Sequence, residues 1–556
     1  MEKRVNKWLK SKNVSQEYKE EIKSYDKDQK KEAFYKDLEF GTAGMRGVMG
    51  AGSNRINKHT IARASEGYAL YINEHASKQK VAIAYDNRNN SKLYAEIAAN
   101  VLAKHNIEVL VFKELMPTPL LSYAVRELDC GGGIVITASH NPKEYNGFKV
   151  YDERGCQLIP SLIEKVIENV NNIDNYLDID LKISEDKKEL IKTIDDSLVE
   201  KYIETILAYQ KNKNTNKDFS LIYSPQHGTG TNIIPEVLNK AEYNCIPLAS
   251  QSTVDGDFSN TLSPNPEDAS AYVESIVLAK EQNANLVVTT DPDADRVGIA
   301  VKHDNDYVLL NGNETTAIIL YYLISEADKK DKLSKDSLII NTVVTSDLGK
   351  KIAEGYNVRT LQTLTGFKYI GTLMDEDDNL ENYIYGYEES YGSLPIPIVR
   401  DKDAVSATLL ISEIAAYYDN KGMTLIDLLE EIYKTYGYFF DTQTSELLKG
   451  IDGSKKIKKI MKKFFETKIG EDDGLIIEKT ENFKTLERKT AEKIENIDLD
   501  SAAVMKIYFK DLGWLAIRPS GTEPKIKFYY SAKGDSHESA KSNFKLMSNY
   551  VNNKLA

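Results

Sequence analysis

Cysteine is scarce: three residues in 556 (Cys130, Cys156 and Cys245), widely spaced and without a CxxC pair. That excludes a disulfide framework and a cysteine-based zinc site, and it fits a reducing compartment. Long hydrophobic runs are also missing. The most apolar stretches, 317–324 and 405–411, are too short for a bilayer span and soon meet charged residues. The opening MEKRVNKWLKSKN has no apolar signal-peptide core. Basic residues are outnumbered, 72 against 85 acidic, for a net charge of −13. A general nucleic-acid binder needs a basic face, which this balance argues against. An anionic small substrate is still compatible, because a local cationic pocket can sit on an acidic surface. The expectation is a cytoplasmic protein with neither nucleic acid nor membrane as partner.

The length of 556 residues predicts three to four domains at ~150 residues each. Hydrophobic residues at 41% and charged residues at 28% are ordinary for a globular chain. The first ~40 residues are charged with helical spacing. Strand-like KVAIAYD, helical SKLYAEIAANVLAKHN and strand-like IEVLVF then follow in turn. This alternation predicts parallel sheets covered by helices. VAIAYDNRNNS (from Val81), SLIYSPQHGTG (from Ser220) and SLIINTVVTSDLG (from Ser337) share one plan: apolar strand, polar turn, helix-like stretch. They suggest three related α/β units up to about residue 430. Residues 450–496, rich in Lys and Glu, read as a helix with exposed strands or a mobile connection. VMKIYF, WLAIRP and KIKFYYSA, followed by a helical tail, read as a distinct α+β unit.

Three segments carry chemistry. In GGGIVITASHNPKEYNGFKVY an apolar strand enters a turn-rich loop with Ser139, His140 and Asn141, and Lys149 follows. Loops at the carboxyl ends of parallel strands commonly hold reactive groups. Ser139 is placed to be a nucleophile or phosphoryl carrier; the alternative is a plain Ser/Asn-Pro turn. No GxSxG is present, so this is not a hydrolase elbow. In NLVVTTDPDADRVGIAV, Asp291, Asp293 and Asp295 lie at alternate positions, and an extended backbone would point them the same way. Such carboxylates repel unless a hard divalent cation sits among them. Arg296 and Lys302 stand where a calcium loop needs Gly and Glu. Mg²⁺ bridging to a phosphate is the expected use; a solvated acidic turn is the alternative. In AIRPSGTEPKIKFYY, Arg518 precedes Ser520, Gly521 and Thr522, a pattern suited to gripping phosphate oxygens. FGTAGMRG, HGTG, TGFKYIG, YGYEESYG and VRDKDA are weaker signals, and His227 reads as a loop histidine with its bonds satisfied.

TASHNP, DPDADR and RPSGTEP, in this order and spacing, resemble the α-D-phosphohexomutase superfamily, in its phosphoglucomutase/phosphopentomutase branch. The resemblance covers 40–530 and implies an α/β fold of four domains. Three are related α/β units with mixed or parallel sheets, and the fourth is a C-terminal α+β domain; together they surround a central cleft. The expected domains are 1–195 with the serine loop, 196–305 with the metal loop, 306–430 with the sugar loop and 431–556 with the phosphate loop.

By motif, the resemblance makes Ser139 the phosphoserine and Asp291, Asp293 and Asp295 the Mg²⁺ ligands beside its phosphate. Arg46, His140, Lys149 and Arg296 would surround the phosphoryl group, with Lys149 as general base, its proton affinity lowered by neighbouring cations. Glu388 and Ser390 would hold sugar hydroxyls, joined in substrate binding by Thr365, Gly366 and Lys402. Arg518, Ser520, Gly521, Thr522 and Lys527 would grip the non-reacting phosphate. Two departures bear on sugar choice: Tyr387 replaces a common Gly, and Lys527 a common Arg. The implied activity is an intramolecular phosphotransferase, a phosphoglucomutase working through a phosphoserine with glucose 1,6-bisphosphate as intermediate and activator. Phosphopentomutase or phosphomannomutase activity, a silent sugar-phosphate binder and a bisphosphate synthase are the alternatives. A monomer or weak homodimer is expected.

Overall fold

The charged N-terminal stretch folds as three short helices, Glu2–Lys10, Gln16–Ser24 and Lys27–Phe34. Ser15 caps the second, and an Asp26–Gln29 capping box starts the third, supplying partners to amides that a helix start leaves open. Trp8, Ile22 and Phe34 are the apolar residues that bury this cap. The computed structural model describes residues 1–41, 44–448, 450–519 and 525–555. It divides into two units, Met1–Gly312 with Phe367–Thr424, and Asn313–Gly366 with Leu425–Ala556.

The first unit holds a six-stranded mixed sheet. Its order is Met45–Val48, Tyr145–Asp152, Gly132–Ile136, Lys80–Tyr85, Glu108–Val111, Ile191–Thr193. The last four strands are parallel; Tyr145–Asp152 runs antiparallel to them, and Met45–Val48 antiparallel to Tyr145–Asp152. Every residue of Gly132–Ile136 is buried, as expected where helices cover both faces. A five-stranded sheet follows, in the order Asp306–Leu310, Val297–His303, Leu286–Thr290, Ser220–Ser224, Asn244–Pro247. The same unit contains the hairpin Tyr383–Tyr387/Ser393–Leu394 and the helix Ala404–Asp419. The apolar stretch 405–411 is therefore part of a buried core helix. Among the described residues no helix is long and apolar enough to cross a membrane.

In the second unit Leu338–Thr342 pairs in parallel with Arg359–Thr363 across the helix Asp347–Gly355. The three sequence echoes thus have one structural meaning. Strands Lys80–Tyr85, Ser220–Ser224 and Leu338–Thr342 each lead through a helix to a parallel neighbour. The C-terminal strands form an antiparallel sheet, with Tyr438–Leu447, Lys525–Gly534, Gly513–Pro519, Met505–Phe509 and Leu475–Asn482 adjacent in that order. Helices Gly450–Phe465 and His537–Leu555 share its apolar core through Met461, Phe464, Met547 and Tyr550. The 450–496 stretch is thus a helix and strands. The thiols of Cys130, Cys156 and Cys245 are free; the first two are buried and the third half-buried.

Candidate active site

Strand Gly132–Ile136 delivers the chain into a tight turn in which Ser139 adopts φ +52°. A β-carbon in the left-handed region is costly, so the turn must be held by its surroundings. The Ser139 amide donates to Thr137 Oγ1 (2.8 Å). Arg88 donates from one guanidinium nitrogen to the carbonyls of Ser139 (2.6 Å) and Asn141 (2.5 Å). The other donates to Pro142 (2.8 Å) and Tyr145 (3.0 Å). Ser139 Oγ ends buried, 2.8 Å from Asp291 Oδ2 and 3.2 Å from His140 Nδ1. Desolvation, with the Arg296 and Arg46 guanidiniums, holds the His140 imidazole well below its usual range, hence neutral. Arg46 reaches the same loop, donating to Asn141 Oδ1 (2.7 Å).

The acidic motif joins Leu286–Thr290 to its antiparallel neighbour Val297–His303. The expectation of an extended row of carboxylates is corrected: the segment is a turn, with Ala294 at φ +50° and its amide donating to the Asp291 carbonyl (2.9 Å). Folding back places one oxygen each of Asp291, Asp293 and Asp295 within 4.8 Å of one another, all three residues buried. HGTG supports this turn. The Thr229 amide and hydroxyl both donate to the Pro292 carbonyl, at 2.7 and 3.0 Å. A Cβ on Gly228 would lie 2.4 Å from Pro292 Cα, so only glycine permits the approach. His227 is a satisfied loop histidine: Nδ1 lies 2.8 Å from the Thr253 carbonyl, and Nε2 accepts from the Asn260 amide (3.3 Å).

Two observations test the triad as a cation site. Asp293 Oδ1 and Asp295 Oδ1 are buried without a hydrogen-bond partner, an expensive state for carboxylate oxygens. Burial and the charges of Asp293 and Asp295 also push the Asp291 carboxyl well above its usual range. Asp293 goes the other way: against burial, Lys149 holds it ionised. Hard oxygen donors with unused lone pairs fit a divalent cation such as Mg²⁺.

Basic side chains surround the acids. Lys149 Nζ lies 3.0 Å from Asp293 Oδ2 and 3.7 Å from Asp295 Oδ2, so carboxylates are its close charged neighbours, where cations were expected. Lys402 Nζ lies 3.1 Å from both Asp295 and Asp401. Against burial, Asp295 and Asp401 hold it charged. Arg296 pairs with Glu267 (2.7 Å). Glu388 is buried, its amide bonded to the Gly392 carbonyl (2.9 Å), and it accepts from Ser390 Oγ (3.3 Å). The Arg296↔Gly392 bridge joins the Glu388 loop to the acidic turn. Tyr387 is buried and stacks on Tyr385 at 4.9 Å, an integral part of the hairpin's packing.

The first unit thus gathers Arg46, Ser139, His140, Lys149, the Asp trio, Arg296, Glu388, Ser390 and Lys402. Thr365, Gly366, Arg518 and Lys527 belong to the second. Arg518 and Lys527 are opposite one another on adjacent antiparallel strands. Ser520, Gly521 and Thr522 lie outside the described residues. Sequence reasoning missed Arg88, Thr118 and the Tyr151–Asp401 pair. Thr118 donates to Asp293 Oδ2 (2.9 Å), and Tyr151 to Asp401 Oδ2 (2.7 Å). Arg88 and Asp401 stood inside segments already noted, DNRNNS and VRDKDA, where nothing marked their partners.

The phosphoglucomutase/phosphomannomutase α/β/α domain I model matches residues 37–177, domain II 200–305, domain III 311–436, and the C-terminal domain 478–541. The chain belongs to the phosphoglucomutase/phosphomannomutase family. Phosphoglucomutases of Staphylococcus aureus strains MRSA252 and N315 are each 39% identical to it over 512 residues, 91% of this chain and 91% of theirs. Among solved structures, parafusin (phosphoglucomutase) from Paramecium matches in fold with a TM-score of 0.69 at 20% identity, over 94% of this chain and 95% of that one. A phosphoglucomutase/phosphomannomutase family protein from Burkholderia thailandensis matches with a TM-score of 0.67 at 16% identity, over 93% and 97%.

Proposed function

We propose that this chain interconverts glucose 1-phosphate and glucose 6-phosphate, with Ser139 as the phosphoryl carrier. The observation that carries the reading is Ser139 Oγ 2.8 Å from Asp291 within a buried carboxylate trio. The 39%-identical relatives named phosphoglucomutase support the choice of sugar. Phosphorylated Ser139 gives its phosphoryl group to the free hydroxyl of the sugar monophosphate: the Oγ–P bond breaks, a P–O bond to the sugar forms, and the hydroxyl proton passes to a base. Lys149, whose ammonium pairs with Asp293, is placed to donate to the transferring phosphoryl oxygens rather than to serve as that base. Glucose 1,6-bisphosphate then turns over in the site, and its other phosphoryl group returns to Ser139 Oγ.

The Asp trio would hold Mg²⁺, which when bound supplies positive charge to the transferring phosphoryl oxygens. Arg46 and Arg296 offer planar donors to phosphoryl oxygens, and neutral His140 orients the serine hydroxyl. Glu388, Ser390 and Lys402 select the sugar. Arg518, Lys527 and the 520–522 motif hold the non-reacting phosphate. A cytoplasmic monomer or weak homodimer goes with this reading.

The test is an assay of purified protein with Mg²⁺, trace glucose 1,6-bisphosphate and glucose 1-phosphate, scored for glucose 6-phosphate. Turnover is expected, with one phosphate on the active protein mapped to Ser139, and Ser139→Ala inactive. Unimpaired turnover by Ser139→Ala would remove the carrier assignment. Bisphosphate accumulating in place of glucose 6-phosphate would make the protein a bisphosphate synthase.

A further inference from the structure

The geometry points to Arg88 as the positioning residue that fixes the reactive conformation of Ser139; this rests on Ser139 being the phosphoryl carrier. Arg88 is 3% exposed, and its terminal nitrogens bond the carbonyls of residues 139, 141, 142 and 145. A guanidinium has five N–H groups in a rigid plane. Four point at the serine loop, while Nε forms an ion pair with Asp86 Oδ2 at 3.2 Å without a hydrogen bond between them, both side chains fully buried. Asp86 is itself fixed, Oδ1 accepting from the Arg88 amide (3.0 Å) and Ser91 Oγ (2.6 Å). The guanidinium carbon lies 5.1 Å from the centre of the Phe258 ring, and Asn87 and Asn89 bond Asp255 and Asp257 beside it.

This arrangement answers a specific need. Ser139 sits at φ +52°, a conformation a non-glycine residue abandons unless its neighbours enforce it. That conformation aims Oγ at Asp291. Four carbonyl dipoles converging on one cation remove the loop's alternatives. Arg88 touches no reacting atom in this arrangement. It sets the angle at which the carrier oxygen meets the sugar hydroxyl, and misplacement by about 1 Å is enough to cost roughly 100-fold in rate. Lysine cannot substitute, because a single ammonium has no plane with which to span four carbonyls.

Arg88→Lys keeps the buried charge and is the decisive variant; Arg88→Ala tests rescue. For Arg88→Lys we expect kcat to fall roughly 100-fold while KM for glucose 1-phosphate stays within about threefold, since sugar contacts are untouched. Phosphorylation of Ser139 by glucose 1,6-bisphosphate, followed by intact mass, should slow by a similar factor. Guanidinium below denaturing concentrations should partly restore Arg88→Ala and leave the wild type unchanged. Wild-type kcat in Arg88→Lys with only a lower melting temperature would reduce Arg88 to a structural role and overturn the inference. A raised KM at unchanged kcat would overturn it too. If Arg88→Ala fails to fold, Arg88→Lys alone decides. Active Ser139→Ala would instead defeat the carrier reading, so the two failures are separable.

Discussion

Asp293 shows how single residues carry two tasks here. It accepts from Lys149 and Thr118 through Oδ2, while Oδ1 is buried without a partner. Asp293→Asn keeps the shape and removes one negative charge of the proposed cation site. The Mg²⁺ concentration for half-maximal turnover should rise at least about 10–100-fold, the range seen when even outer partners of a metal are lost. The melting temperature should move by no more than about 4 °C, because a lost ion pair is offset by relieved repulsion with Asp291 and Asp295. Metal titrations of turnover and thermal melts check both; unchanged Mg²⁺ dependence would contradict the site. This residue was legible in the sequence because metal chemistry demands carboxylates. Arg88 was not, because its partners are main-chain carbonyls, which every residue has and no letter marks. The turn at Ala294 was hidden for a related reason: its left-handed residue is not glycine, so an extended row was the natural expectation.

At the scale of elements, the loops matter as pairs. The βαβ repeat was readable from strand and helix periodicity, but the HGTG loop's contact with the acidic turn joins segments about sixty residues apart, and periodicity is silent on that. Gly228→Ala would press a Cβ against the Pro292 main chain, which cannot rotate aside. Stability should fall by about 1–3 kcal/mol, and Mg²⁺ affinity should weaken with it. Denaturant unfolding with Mg²⁺ titration measures both; a variant with normal Mg²⁺ affinity would show that the turn holds its shape alone. In the second unit, burial pushes the Asp441 carboxyl up to about 7, with Ser531 and Ser346 opposing and Glu314 and Asp347 adding. Between pH 3.8 and about 7 the folded state holds this proton more tightly than the unfolded chain, so stability falls as pH rises through that window. The full interval corresponds to at most ~4 kcal/mol. Asp441→Asn should remove this loss: its gain over wild type should be small near pH 4 and full above about pH 7, read by urea unfolding across that range.

For the whole molecule the expected phenotype is sugar preference. With buried Glu388 holding sugar hydroxyls as proposed, a hydroxyl that fails to reach it forfeits a charge-assisted hydrogen bond. That costs ~1–3 kcal/mol, about 5- to 150-fold in kcat/KM. Glucose 1-phosphate should therefore exceed mannose 1-phosphate by about tenfold or more, with ribose 1-phosphate the stronger competitor, under identical Mg²⁺ and activator. A tenfold preference for either rival would change the substrate and leave the phosphoserine chemistry in place. The three cysteines have a separate use. All lie in the first unit, and burial pushes the Cys130 and Cys245 thiols up to about 12 and raises Cys156 as well. Alkylation of buried Cys130 and Cys156 in the native protein should therefore wait for transient opening, and its rate becomes a clock for breathing of the first unit alone. The second unit, without a sulfhydryl, does not register on that clock, so the wild-type chain reports on one of its units without any engineered label.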